Sequence, residues 1–579
     1  MNVINKFLIP ALALGMFAAC SDDNKFEGPE TPDNNNPCFV SVDLNLAVSG
    51  GRAVGNPPTE VGQDFENAIN NAVIVFAEPT TNRMIAAAKV TQIAGSGNAK
   101  PTVTAKFTQS ELETFRATIT EGENANVNVF ALCNCTETLV SELTAIKYGT
   151  NNTYWIEKYS EYQPAALTVD AIKTNGVFMT SYTATNWTLP AKEELANTSA
   201  SNPANVGEIT VKRAIARFDY AEGATGGKYC VYDASEDDNI SDDNTSKINV
   251  EIVRVATVNV SKHFWNFPHF AANADGVANA KAFETGVLVA DYKGEEKTST
   301  NAANGTWMSN NYTSTLFTFG ENNSVTLNRA GWTSIAYTDL VKNDRIEDNW
   351  TATEGTTPDY RIWRYVTENV IPVNNNQING LSTGIVFKGK ISVEGEGKVA
   401  KQFDDAMKAK KTLYVFSGTT NVAAIGALSD IVALGTENAI YQAMEQCLVT
   451  GKSMTDTNLA DADVDKTKAT KAGFKMYEPA AGDLVNGDVA GEYYMYYYYW
   501  NKHNDNNDAS LMGQMEFATV RNHVYKLSLT KISKFGHPRK PENDPDPVTP
   551  TTPDEDASAY ITVSLVILPW DVRVNNIEF

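Results

Sequence analysis

Few residues in this chain are spaced as catalysis or ligation would require. Gly380-Leu381-Ser382-Thr383-Gly384 has the Gly-x-Ser-x-Gly spacing of a nucleophile elbow. That chemistry needs a strand before the serine and a helix after it. Here Asn374, Asn375 and Asn376 precede it and an alternating strand pattern follows, so Ser382 is not expected to be a nucleophile. The acidic runs Asp233 to Asn244 and Asp461 to Asp465 lack a calcium-loop pattern. In the second, Lys466 stands where glycine is needed and Ala472 where glutamate is needed. His263 and His269 have no cysteine or carboxylate at ligand spacing. Cys133 and Cys135 point to one face of a strand, a poor geometry for a mutual disulfide. Phosphate-binding glycine loops are absent. The sequence therefore predicts no enzyme, no cofactor and no metal site.

Two residues do point to covalent processing. The first twenty residues have a weakly basic start at Lys6, an apolar run, and then Ala18-Ala19-Cys20. The run is too short to span a bilayer stably. It reads as a lipoprotein signal over residues 1–19, with Cys20 as the lipidated first residue. The second is Arg52, the first arginine of the chain, within Gly50-Gly51-Arg52-Ala53-Val54-Gly55. Exposed loops of small residues are favoured cleavage sites, and a cut between Arg52 and Ala53 would release everything before it.

The segment released is itself a strand. Val40, Val42, Leu44 and Leu46 alternate with mostly polar residues, the period of a strand with one buried face. The far end of the chain repeats the pattern in phase. Phe39 aligns with Tyr560, Val40 with Ile561, Val42 with Val563, Leu44 with Leu565 and Leu46 with Ile567. Phase matters because a one-residue slip turns every apolar side chain to the wrong face. Beyond Ile567 the apolar positions change parity to Leu568, Trp570 and Val572, so two strands with a bend near Pro569 are expected. A Pro-rich stretch, His537 to Ala559, precedes them and reads as a flexible tether. A groove that held the first strand could thus accept Ile561, Val563, Leu565, Ile567, Leu568, Trp570 and Val572 of a neighbour, by β-strand addition. Such a head-to-tail contact does not close on itself and builds a homopolymer filament.

The elements between are mostly β. Short runs rich in Val, Ile, Thr, Tyr and Phe alternate with turn signals through most of the 579 residues. Helical patterns are few, near Ser141, Phe403 and Asn438. Glu492 to Trp500 contains six Tyr and one Trp; it could be a stacking surface for sugars, but a strand with aromatic cross-strand pairs is the expected reading. The strands are too numerous for one sheet, and two β-sandwiches are the natural packing. The boundary is expected near Pro203, before the strand carrying Arg213 and Arg217, with the stretch Ala271 to Thr383 as loops. A formal charge of −23 argues against nucleic acid and anionic membranes as partners. Six cysteines are too few for a disulfide scaffold.

With these features the chain resembles the fimbrillins, or type V pilins, of Bacteroidia, most closely the shaft subunits of minor fimbriae. The resemblance is carried by the signal to Cys20, the strand followed by Arg52, and Ile209 to Tyr220. Further along it is carried by Arg521-Asn522 with Tyr525 and Gly536, the Pro-rich stretch, and Leu568-Pro569-Trp570. It implies an all-β fold of two transthyretin-like β-sandwich domains with a C-terminal donor-strand extension. The expected divisions are 1–19 signal, 20–52 propeptide, 53–205 and 206–536 sandwiches, 537–559 tether and 560–579 donor strands. It further implies passage through the outer membrane as a lipoprotein, maturation by an arginine-specific protease, and polymerisation into a surface fimbria. Anchor and tip subunits would be partners, and host or bacterial surface ligands would be bound in adhesion and biofilm formation. Because this chain carries both a removable strand and a donor strand, a shaft role is expected. The alternative is a tip or anchor adhesin, or a monomeric surface-binding lipoprotein, on the same fold.

Overall fold

A computed structural model describes residues 37–46, 60–95, 100–149, 155–161, 167–236, 245–271, 281–282, 287–289, 297–319, 325–327, 332–341, 360–371, 374–417, 422–482, 487–508, 511–539, 549–555 and 561–571. The expected processing residues Cys20, Arg52 and Ala53, and the donor residue Val572, lie outside them.

The fold is all-β with short helices. Strands β1 (Pro37–Leu46) and β2 (Glu60–Val61) come first, followed by β3 (Ala72–Ala77), β4 (Met84–Ala94), β5 (Thr102–Thr108) and β6 (Asn126–Cys133). Then come β7 (Met179–Ser181), β8 (Thr185–Thr188) and β9 (Ala204–Arg213). Apart from β2 these form one sheet in the order β3-β4-β5-β1-β9-β7-β6-β8, and β3 also pairs with β6. That last pairing closes the sheet around a core to which β1 contributes Cys38, Val40, Val42, Leu44 and Leu46. Closure removes the sheet edges that would otherwise invite other chains.

The second body has two facing sheets. Its strands are β10 (Ile215–Ala221), β11 (Lys228–Asp233), β12 (Lys247–Val258), β13 (Ser334–Ala336), β14 (Arg361–Thr367) and β15 (Gly384–Glu394). After β16 (Leu413–Ser417), β17 (Val422–Gly426) and β18 (Phe474–Tyr477) follow β19 (Tyr494–Trp500), β20 (His523–Ile532), β21 (His537–Pro538) and β22 (Ile561–Asp571). One sheet runs β2-β22-β20-β10-β14; the other runs β11-β12-β15-β19-β21, with β13 beside β12. Phe218, Tyr220, Val524 and Leu527 from the first sheet share a core with Ile248, Val250, Phe387 and Tyr497 from the second.

Three expectations change. The boundary between sandwiches falls at Ala214, not at 205/206, because β9 pairs with β1 and β7 while β10 pairs with β14 and β20. Arg213 and Arg217 therefore sit on different strands of different bodies. Residues 398–477 form a small α/β insertion, in which the helix Lys398–Lys408 packs beside the sheet β17-β16-β18. Its helices were readable one by one, but its own core around Tyr414, Ile431 and Met444 was not. The described parts of 271–383 also carry short elements, such as the helix Gly305–Asn311 and a strand Tyr312–Ser314 paired with Val260–Ser261.

A buried ionic network holds the start of the described body chain against the second sandwich. Arg217 is fully buried and makes two bonds to Asp219, both 2.8 Å, and two to Glu66, at 3.0 and 3.2 Å. Tyr365 donates its hydroxyl to Glu66 at 2.5 Å, and Arg213 reaches Asn67 at 2.5 Å. Glu66 lies in the turn of helix just after β2, so the residues that follow β2 are fixed by charge as well as by packing. Removing one member of such a group leaves uncompensated charge in a dry site. Arg217→Met should lower the unfolding free energy by about 3–5 kcal/mol in urea titrations; a loss below about 1 kcal/mol would show that the network is dispensable.

Candidate functional site: the N-terminal strand and the C-terminal strand

β1 lies inside its sheet. It pairs antiparallel with β5 from Pro37 opposite Thr108 to Asp43 opposite Thr102. On its other edge it pairs parallel with β9, from Val40 opposite Ala204 to Leu46 opposite Val211. The register on the β9 side shifts between Ser41 and Asp43, taking up one extra residue on β9 next to Gly207, whose φ of +95° suits glycine. Cys38, Val40, Val42, Leu44 and Leu46 are at most 1% exposed. On the opposite face Thr102 donates to Asp43 at 2.6 Å and Asn45 donates to Glu208 at 2.7 Å. Burial pushes the Cys38 thiol up to about 11, which leaves it a packing residue.

The C-terminal strand is held differently. β22 pairs antiparallel with β20, from Ile561 opposite Ile532 to Pro569 opposite His523. Its other edge meets only β2, with Trp570 and Asp571 beside Glu60 and Val61, among the described residues. Ile561, Val563 and Leu565 are half-buried against the core, and Thr562 and Ser564 are exposed. Two expectations are corrected here. The segment is one continuous strand through Leu568, Pro569 and Trp570 rather than two strands with a bend. It also rests on its own body, where it covers the edge of β20 that would otherwise be open. Proline is tolerated because most of this strand is a sheet edge.

The Pro-rich stretch is docked at two places. Its start, β21, pairs with Met495 and Tyr496, and Arg539 bonds Asp488 at 2.5 Å. Further on, residues 549–555 lie against the loop that carries Ser382. Gly380 donates to the Pro550 carbonyl at 2.9 Å and Asn379 to that of Thr552 at 2.9 Å. Asp554 donates its amide to Gln377 at 3.1 Å. A Cβ on Gly380 would meet the Pro550 carbonyl at 2.8 Å, so the close approach needs glycine. The Ser382 hydroxyl is buried and donates to the Asp554 carboxyl, and Lys502 pairs with Glu555 at 2.9 Å. The serine of the elbow-like motif is thus part of a clasp on the arm that leads to β22.

Other singled-out residues have structural positions. Asp461 accepts from Thr412 and Tyr414, and Asp465 caps a helix at Lys468. Among the described residues no group of three or more His, Cys, Asp or Glu could hold a metal ion. Arg521 bonds Glu368 at 2.6 Å and the Trp265 carbonyl at 2.8 Å. Asn522, at φ +58°, accepts from the Arg213 amide and donates its own to Ile215, so it joins the two sandwiches. Tyr525 accepts from the Val520 amide at 2.9 Å. The clasp escaped sequence reading because Pro-Asp-Glu-Asp within a Pro-rich run has the composition of a solvated linker.

Residues 492–576 match the family model described as "Major fimbrial subunit protein type IV, Fimbrillin, C-terminal". No curated protein matches the chain. Among solved structures, a fimbrilin from Porphyromonas gingivalis W83 is 13% identical, over 93% of this chain and 98% of that one, with a TM-score of 0.34. The tip fimbrial protein of Porphyromonas gingivalis, with a C-terminal truncation, is 9% identical over 92% of this chain and all (100%) of that one, with a TM-score of 0.33. A cell-adhesion candidate from Parabacteroides distasonis ATCC 8503 is 11% identical over 93% and 99%, with a TM-score of 0.36.

Burial pushes the Asp554 carboxyl well above the ordinary carboxylate range, with the Ser382 bond opposing the shift. A group whose docked value is raised favours docking fully below its free value, near 3.9, and loses that contribution as pH rises through the docked value. Amide protection at Asn379, Gly380 and Asp554, corrected for intrinsic exchange, should therefore fall as pH rises. Asp554→Asn should flatten that profile; an unchanged profile in the variant would remove Asp554 from the clasp.

Proposed function

From the premise that the chain is of the fimbrillin type, by its C-terminal region at residues 492–576, we propose that it is the shaft subunit of a cell-surface fimbria. It is exported as a lipoprotein through Cys20, carried to the outer membrane, and cut between Arg52 and Ala53 by an arginine-specific protease. The cut frees residues 20–52 together with β1. The adjoining subunit then places its C-terminal strand, led by Ile561, Val563, Leu565, Ile567, Leu568, Trp570 and Val572, in the opened groove. Repetition gives a homopolymer, joined to anchor and tip subunits, that serves adhesion and biofilm formation.

The observation that carries this reading is the contrast between the two strands. β1 has ten residues, hydrogen bonds on both edges and five apolar side chains at most 1% exposed. β22 has eleven residues, one paired edge along most of its length, and half-buried apolar side chains at 561, 563 and 565. Full burial of a Val or Leu side chain is worth about 1.5–3 kcal/mol, so refilling the β1 groove supplies on the order of 10 kcal/mol. Exchanging a half-buried edge position for a two-sided groove is favourable, and the loss of the β20 pairing and the ordering of the arm reduce the gain.

A second reading has its own support. Because β22 lies on its own β20, a subunit that keeps it there could accept a donor without giving one, as a tip adhesin or a monomeric surface lipoprotein would. The two readings separate at the amino terminus. Material recovered from the cell surface should begin at Ala53 and run as heat-sensitive ladders on denaturing gels. A monomer beginning at Cys20 would support the second reading.

Arg52→Ala should retain β1 and abolish the ladders, and normal filaments from that variant would contradict the processing step. Deleting residues 560–579 should leave a cooperatively folded subunit, with a lowered melting temperature, that cannot extend a chain. Global unfolding of the deletion would make the segment an ordinary core strand.

A further inference from the structure

Two histidines meet at one end of the second sandwich, beside the C-terminal strand. His523 opens β20, and there β22 runs antiparallel to it, with Pro569 opposite His523 and Leu568 opposite Val524. Alternation puts His523 on the same face as Tyr525, Leu527 and Leu529, which pack in the core. His503 comes from the facing sheet, in the loop just after β19, where its amide donates to the Glu516 carbonyl at 2.6 Å. The two rings stand edge to face, with centroids 4.9 Å apart and planes at 90°. They bridge the two sheets at the end where β22 is attached, and β22 also comes close to β19.

Both rings are held by neutral groups. Nδ1 of His503 lies 2.9 Å from the Tyr525 hydroxyl, and Nδ1 of His523 lies 2.8 Å from the Arg521 carbonyl. Among the described residues neither ring is ion-paired to a carboxylate. The charges around them leave little to balance two more protons. Lys212 faces His523 and rests 3.5 Å from the Tyr182 ring centre, while Glu368 is shared with Arg521 at 2.6 Å. On the His503 side, Lys502 pairs with both Glu516 and Glu555. Burial pushes His503 down to about 3, with His523 adding to the shift. Burial also lowers His523; Lys212 adds to that, and the Arg521 carbonyl and Glu368 oppose it.

We propose that this pair is an acid-sensitive latch on the C-terminal strand. While both rings are neutral they close the end of the sandwich and β22 stays on β20; once protonated they repel each other across the two sheets and the strand is let go. Its use rests on the donor role proposed for β22, since acid would then offer the strand to a neighbour. The sign follows from linkage. An imidazole whose docked value is lowered contributes fully above its free value, near 6.5, and the contribution is lost as pH falls toward the docked value. Each histidine freed from burial raises the opening constant by up to tenfold per pH unit in that window. The clasp at Asp554 has the opposite sign, so acid holds the arm while it loosens the strand beyond it.

Hydrogen exchange of the full, uncut chain between pH 7 and pH 5, corrected for intrinsic rates, tests this without requiring filaments. The opening constant of the 561–571 strand should rise at least tenfold across that range, while amides of β10 and β14 keep theirs. The double variant His503→Gln, His523→Gln should flatten the profile, and each single variant should retain part of it. The latch is overturned if the wild-type strand shows no acid response, or if β10 and β14 open in parallel with it, which would be global unfolding. A full acid response in the double variant overturns it too; should that variant not fold, the single variants and the wild-type profile still decide. An acid-released strand in a chain that never forms filaments would leave the latch standing and remove the shaft role instead.

Discussion

A strand inside a sheet must satisfy backbone hydrogen bonds on both edges, and β1 is such a strand at the very start of the described chain. It fills a groove walled by β5 and β9 and seals the core beneath with Cys38, Val40, Val42, Leu44 and Leu46. Take β1 away and two rows of amides and carbonyls lose their partners while apolar surface meets water. Each unmet buried group costs about 1–3 kcal/mol. The groove is therefore specific for an extended segment with apolar residues at every second position and of about ten residues in length. The strand at the far end of the chain, β22, meets that description with Ile561, Val563 and Leu565 at alternate positions.

The rest of the architecture keeps that groove and that strand apart. Arg217, shared by Glu66 and Asp219, pins the chain that follows β2 to the second sandwich, and Asn522 ties β9 and β10 to the turn before β20. The arm to β22 is clasped at residues 549–555 by the Gln377 to Ser382 loop. The exit point of the C-terminal strand is thus set by Glu555 and its Lys502 partner rather than by His537, where the Pro-rich composition starts. In the proposed strand exchange, an arm clasped this close to β22 would restrict where the strand can reach, which favours one geometry between neighbours over many.

Much of this was legible in the residues. Period-two alternation placed β1, β12, β15 and β22, and the 3.6-residue pattern found the helices near Ser141, Phe403 and Asn438. What failed has physical causes. Ile209 to Tyr220 reads as one strand, yet the chain passes from one body to the other at Ala214, because the two halves find different pairing partners. Pro569 and the change of parity suggested a bend, but an edge strand accommodates a proline without breaking. Asp554 looked like linker because its burial depends on a loop far away in sequence, at Ser382.

The most direct test is a filament structure at side-chain detail. Between β5 and β9 of each subunit it should contain the 561–571 strand of the adjoining subunit, with Ile561, Val563 and Leu565 at the depths now held by Val40, Val42 and Leu44. Finding β1 still in that groove, with every β22 lying on its own β20 and no strand passing between subunits, would contradict the account.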